Sequence, residues 1–133
     1  YFPLEHIYET THEIIKGEGD EDDGYSPFEG HIYVPSPLGT RKWTFPEMLE
    51  SDFLEVFGGK KVKEIYVGGL ATDYCVKAAC HDARKLGYEV YLLTDACRGV
   101  NLNPSDSAYA IEGMRRAGVK FITTDEVLKQ SPQ

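Results

Sequence analysis

The chain is predicted to be an α/β protein with a parallel sheet, and two observations predict it. Three short apolar runs, residues 63–69, 89–95 and 119–124, are nearly continuous rather than alternating, as strands buried on both faces are. Between them lie segments whose apolar residues recur at helical spacing and end at a glycine. Strand and helix in alternation give right-handed crossovers and strands that run in the same direction.

The elements follow in order. Ile65, Tyr66 and Val67 form the first clear strand, which ends in the turn Gly68-Gly69. Val76, Ala79, Cys80, Ala83 and Leu86 make one helical stripe, closed by Gly87 as a left-handed cap. Val90 to Leu93 is the second strand. Asn103-Pro104 with Asp106 then opens a helix with the stripe Ala108, Ile111 and Met114, stopped by Gly118. Phe121 and Ile122 centre the last strand. Upstream, Thr44-x-x-Glu47 is a capping box before Phe45, Met48, Leu49, Phe53, Val56 and Phe57.

The first forty residues read differently. Residues 12–16 are a candidate fourth strand, leading into the acidic stretch from Glu18 to Asp23. Residues 26–37, with Pro27, Pro35 and Pro37, read as a long surface loop.

Composition excludes several function classes. Fourteen Lys and Arg against 22 Asp and Glu give a formal charge of −8, and no basic run is present. That balance disfavours nucleic acid and anionic membranes as partners. No apolar run approaches the roughly 18–20 residues of a membrane span. With 41% hydrophobic and 27% charged residues over 133 positions, the composition is that of a single globular domain. Cys75, Cys80 and Cys97 cannot all pair with one another, and no secretory pattern opens the chain. Reduced thiols in a cytoplasmic protein are the expectation.

In open α/β sheets the ligand site lies beyond the carboxyl ends of the strands. Cys75 falls there, at the start of a helix, where backbone N–H groups and the helix dipole favour an anion. The same N–H groups suit the oxyanion formed when a thiolate attacks a carbonyl. Position alone leaves a second reading open, that Cys75 is a small buried apolar residue. Asp73, in the turn before it, is expected to point into that turn or cap the helix.

The residue pattern narrows the choice. Gly68-Gly69-Leu70-Ala71-Thr72-Asp73-Tyr74-Cys75-Val76, then Lys77-Ala78-Ala79 and His81-Asp82-Ala83-Arg84-Lys85-Leu86-Gly87, resembles the nicotinamidase/pyrazinamidase branch of the isochorismatase-like cysteine hydrolases. Asp95-Ala96-Cys97-Arg98-Gly99-Val100 is similar to that family's next strand end. Ile14-Ile15-Lys16-Gly17 with Asp23-x-Tyr25-Ser26-x-Phe28 is similar to its lysine strand and aromatic loop.

The resemblance implies a three-layer α-β-α, Rossmann-like fold and hydrolysis of nicotinamide, or pyrazinamide-like amides, through an acyl-cysteine in an Asp-Lys-Cys triad. Carried over by position, Cys75 is the nucleophile and Lys16 the triad lysine. The backbone N–H groups of Ala71 and Cys75 form the oxyanion hole, beside a cis peptide that commonly precedes the alanine. Tyr25 and Tyr74 match aromatic positions near the substrate. On residue type alone Lys16 is an ordinary strand-end lysine, and both tyrosines serve packing as readily as ring contact.

The resemblance also implies parts that this sequence does not supply. The triad aspartate and the ligands of a divalent metal (Zn, Mg or Mn) belong to an N-terminal segment, and no aspartate precedes Asp20 here. Residues 1–133 are therefore expected to be the C-terminal part of one domain, without metal ligands of their own. The N-terminal part of the same enzyme is the expected partner, within a homo-oligomer. In the family's sheet order 3-2-1-4-5-6 the lysine and cysteine strands are third and fourth, with two strands between them. Glu18, Asp20, Asp22, Gly24, Ser26 and Glu29 echo calcium-loop spacing, but Asp23 stands where the sharp turn needs glycine, so that stretch reads as a solvated loop. His6, His12, His31 and His81 lack ligand spacing, and His81 is expected on the polar side of its helix or at a subunit contact. Two other readings stand beside the amidase: a related cysteine hydrolase of another small amide, and a non-catalytic piece that serves only in assembly.

Overall fold

A computed structural model describes residues 13–19, 24–50 and 62–130. The chain divides into two compact units, one within residues 1–62 and one within residues 63–133.

In the first unit, Ser26 opens a 3-10 turn over Pro27–Glu29, its hydroxyl accepting the Phe28 N–H at 3.2 Å. β1 (His31–Ser36) and β2 (Gly39–Thr44) follow as an antiparallel hairpin whose two-residue turn is Pro37-Leu38. The long surface loop expected over residues 26–37 is thus wrong. Its prolines signalled a loop, yet Pro35 sits within β1, which a two-stranded hairpin tolerates because one side of each strand needs no ladder partner.

α1 (Phe45–Glu50) begins as the capping box predicts, with Thr44 Oγ1 accepting the Glu47 N–H at 3.1 Å. Met48 and Leu49 are buried, and the rings of Phe45 and Phe28 pack 4.9 Å apart. Phe53, Val56 and Phe57 lie outside the described residues. The segment predicted as a fourth strand forms instead a single antiparallel bridge, Ile15 with His31, through two backbone hydrogen bonds of 2.8 Å.

The second unit alternates as predicted. Its elements are β3 (Glu64–Leu70), a five-residue wide turn (Thr72–Val76), α2 (Lys77–Lys85), β4 (Glu89–Arg98), α3 (Asp106–Arg116), β5 (Lys120–Ile122) and α4 (Thr124–Gln130). The sheet is parallel in the order β3-β4-β5. Val76, Ala79, Cys80 and Ala83 are buried along the α2 stripe and Ala110 and Met114 along α3, as are Val90 and Leu92 of β4. Fully burying a side chain such as Leu92 stabilises by about 1.5–3 kcal/mol.

Both glycine stops hold. Gly87 (φ +92) and Gly118 (φ +95) take the left-handed conformation, with Tyr88 N–H returning to Ala83 and Val119 N–H to Met114.

Three expectations are corrected. Leu86 is 51% exposed, because it is the C-cap residue beyond the last full turn of α2. Ala108 is exposed and Ala110 takes its place in the core. β3 is not buried on both faces: Ile65 and Val67 are half-buried and the rest is exposed, since among the described residues β3 pairs only with β4. Among the described residues no helix is long and apolar enough to cross a membrane.

Candidate functional site

The site begins where β3 and β4 fall out of step. Val67 pairs with Leu92 and Gly69 with Cys97, so Gly68 alone spans on β3 the interval that Leu93, Thr94, Asp95 and Ala96 span on β4. A Cβ on Gly68 would meet Ala96 Cβ at 3.3 Å, so the strands close on a bare backbone. Gly69 then takes φ +121, and a cis peptide joins Leu70 to Ala71, as the resemblance implies.

Ala71 is extended (φ −113, ψ 150), and its carbonyl accepts both the Tyr74 and the Val76 N–H at 3.0 Å. The bond from Val76, five residues on, makes the turn wider than an α-helical one. Cys75 lies inside it, half-buried and outside any disulfide, with Tyr74 half-buried beside it. Ala71, Tyr74 and Cys75 are therefore brought together on one turn at the carboxyl end of β3.

The side chain of Asp73 does not cap the helix as expected but reaches out of the turn. Its buried carboxylate accepts the N–H of Val100 at 2.9 Å and of Asn101 at 2.8 Å, from the loop after β4. The Val100 N–H above all, then those of Asn101 and Asp73 itself and the Lys77 charge, hold its carboxyl below the usual range against the opposing effect of burial. Asn101 is left-handed (φ 54), and its Oδ1 accepts the Ser107 N–H at 2.8 Å in the first turn of α3. Sequence reasoning missed this role, since the partners lie 27 and 28 residues along the chain. Asp73, Tyr74, Lys77, Asp106 and Tyr109 line a cavity of about 300 Å³.

The other two thiols are set apart by environment. Burial, with a smaller contribution from Cys97, pushes the fully enclosed Cys80 thiol up to about 12. Burial also raises Cys97.

Lys16 and Tyr25 belong to the first unit and meet there, Lys16 Nζ donating to the Tyr25 carbonyl at 2.7 Å. Gly17 (φ +76) and Gly24 (φ +74) back onto each other; a Cβ on Gly24 would lie 3.2 Å from Gly17 Cα. Tyr25 is 40% exposed.

Among the described residues no group of three or more His, Cys, Asp and Glu is placed to hold a metal ion. His6, His12 and Asp20 to Asp23 lie outside the described residues. Glu18 accepts the Tyr33 hydroxyl at 2.7 Å. His81 is half-buried on α2, on the side facing Gly113 of α3 rather than on an open polar face. Burial, then the charges of Lys77 and Lys85, hold it below its usual range.

The model of the isochorismatase domain matches residues 25–126. The chain is 40% identical over 121 residues to the nicotinamidase of Escherichia coli (strain K12), covering 91% of this chain and 50% of that protein. It is 29% identical over 110 residues to the nicotinamidase/pyrazinamidase of Mycobacterium tuberculosis, covering 83% and 50%. Of solved structures, the pyrazinamidase of Pyrococcus horikoshii in complex with zinc aligns with a TM-score of 0.52 and 35% identity, over 79% of this chain and 46% of that one. PnC1 from L. infantum in complex with nicotinate aligns with a TM-score of 0.60 and 26% identity, over 85% and 48%. The chain spans about half the length of the relatives it matches. With the matched stretch running from Tyr25 through the Cys75 turn to Glu126, the chain belongs to the isochorismatase domain family.

Proposed function

We propose that this chain carries the nucleophile of a nicotinamidase-type amidohydrolase, which converts nicotinamide to nicotinate and ammonia. The observation that carries the reading is the placement of Cys75, half-buried on the wide turn at the carboxyl end of β3, together with identity of 40% to the E. coli nicotinamidase.

The sulfur of Cys75 attacks the carboxamide carbon, and the oxyanion that forms is received by the backbone N–H groups of Ala71 and Cys75. The carbon–nitrogen bond breaks, and nitrogen leaves as ammonia with the proton that came from the thiol. Water then adds to the thioester, the carbon–sulfur bond breaks, and nicotinate leaves as the thiol is restored. Lys16 is the triad lysine, stabilising the thiolate by its charge. Tyr25 and Tyr74 border the substrate ring.

The remaining parts come from the N-terminal part of the same enzyme, residues 1–133 being the C-terminal part of one domain. That part would supply the triad aspartate, and also the ligands of a divalent metal, which would act as a Lewis acid when bound. The zinc complex of the P. horikoshii relative supports a metal in the family. The described residues of this chain do not fit one, and none of the steps above passes through it. Three cysteines outside any disulfide suit a reducing, cytoplasmic setting, and exposed Val100, Leu102 and Tyr109 suit contacts within a homo-oligomer.

Ammonia release from nicotinamide tests the reading. This chain alone is expected to give none above background, and adding the N-terminal part restores it. Failure of the completed protein to release ammonia from nicotinamide or pyrazinamide would overturn the assignment.

A further inference from the structure

A wide turn is an uncommon stretch of backbone that persists only where its surroundings over-determine it. In the turn Thr72–Val76 the bond from Val76 to Ala71 spans five residues, and Asp73 ties the turn to the loop after β4. Its carboxylate accepts Val100 N–H at 2.9 Å and Asn101 N–H at 2.8 Å, one on each oxygen. Asn101 then accepts from Ser107 at 2.8 Å, so the tether continues into α3, an 11-residue helix packed through Ala110 and Met114. Bonds from backbone N–H to an ionised carboxylate are roughly twice as strong as neutral ones. The turn is held on one side by α2 and on the other by this relay.

We propose that Asp73 is a positioning residue, which fixes the wide turn against the loop after β4 and thereby sets the reactivity of Cys75. It touches neither the thiol's reacting partner nor the substrate in this assignment; it acts through the backbone that places Cys75 and its neighbouring N–H groups. The proposal rests on the reading of Cys75 as the reactive thiol, but its test needs no turnover.

The experiment is alkylation of the full chain with iodoacetamide near neutral pH, with the rate at each cysteine read by peptide mass. The unaltered chain is compared with Asp73→Ala and Asp73→Asn. Ala removes both acceptor oxygens, whereas Asn keeps one, with its amide nitrogen unable to accept. Asp73→Ala is expected to slow Cys75 by about tenfold, as the loss of charge-assisted bonds predicts. Asn is expected to recover part of the rate. Enclosed Cys80 reports whether the fold has opened, and it stays protected in both variants if the effect is local. If Asp73→Ala exposes Cys80, the Asn variant alone decides.

An effect of charge gives the opposite sign, since removing a carboxylate near a thiol favours the thiolate and would speed Cys75 equally in both variants. Cys75 unchanged or faster in Asp73→Asn, with Cys80 protected, overturns the proposal. If Cys75 is not the fastest thiol in the unaltered chain, it is the amidase reading that fails instead.

Discussion

Gly30 approaches Ile15 so closely that a Cβ on it would lie 2.7 Å from the Ile15 carbonyl oxygen, and at the same distance from Ile14 Cγ2. The Ile15–His31 bridge, which docks the backbone next to Lys16 onto β1, closes over a residue without a side chain. Gly30→Ala is expected to force the two segments apart, at about 1–3 kcal/mol, the usual range for overpacking. Hydrogen exchange checks it: the Ile15 and His31 amides, each bonded at 2.8 Å, lose protection. Unchanged protection would show that the contact relaxes freely.

A second prediction concerns Arg84, whose guanidinium donates to the Ala117 carbonyl at 2.9 Å and to Tyr88 at 2.8 Å. It ties the ends of α2 and α3 together and leans on Gly118, whose absent Cβ would meet its Nη2 at 3.0 Å. Arg84→Ala is expected to cost about 2 kcal/mol, as removal of a charged donor from two partly buried carbonyls does. The urea midpoint reads this, and a shift of only a few tenths of a kcal/mol would mean that water replaces the guanidinium.

The legible part of the molecule was the part governed by short-range rules. The three parallel strands, the α2 stripe and the stops at Gly87 and Gly118 follow from apolar runs and left-handed glycines, which act within a few residues. The hairpin β1–β2 was hidden because Pro35 and Pro37 look like loop residues, while their tolerance depends on how many strands pair beside them. Exposure along β3 depends on what pairs with it, which no local pattern records. Cys75 was found through the motif around it. The work of Asp73 was not, because it depends on amides beyond β4.

A third prediction orders the thiols. Cys75 is alkylated first, Cys97 second and Cys80 last. Cys97 is buried and its thiol raised, and Cys80 is fully enclosed with its thiol pushed up to about 12. Mass-mapped labelling near neutral pH decides it, and preferential labelling of Cys80 would contradict the burial seen here.

The pH dependence of stability follows from two carboxylates. Asp73 is lowered chiefly by the Val100 N–H, and Asp95 chiefly by the Thr124 hydroxyl at 2.6 Å, with the Thr124 N–H at 2.9 Å. A carboxyl depressed in the folded state stabilises fully above its unfolded value of about 3.9, and that contribution is lost as pH falls through the folded value. The contribution of these two carboxylates is therefore expected to hold from neutral pH to about 5 and to be lost below about 4, with Asp95→Asn showing a shallower decline in that acid range. Urea midpoints against pH test this; an equally steep decline in Asp95→Asn would remove Asp95 from the account.

In the completed enzyme, Cys75→Ala is expected to abolish turnover and Cys75→Ser to lose most of it, since an alkoxide is far harder to form than a thiolate. If Lys16 stabilises charge as proposed rather than gripping substrate, Lys16→Ala lowers kcat more than it raises KM. An unchanged kcat with a raised KM would remove Lys16 from the triad.

The central claim is that Cys75 becomes acylated, and the acyl group is what should be measured. The completed enzyme is mixed with nicotinamide and quenched in acid within the first turnover, and the peptide bearing Cys75 is weighed by mass spectrometry. A nicotinoyl increment on Cys75, absent in Cys75→Ala, is the predicted result. Ammonia released with no acyl group on Cys75, or with the group on another residue, would contradict the account.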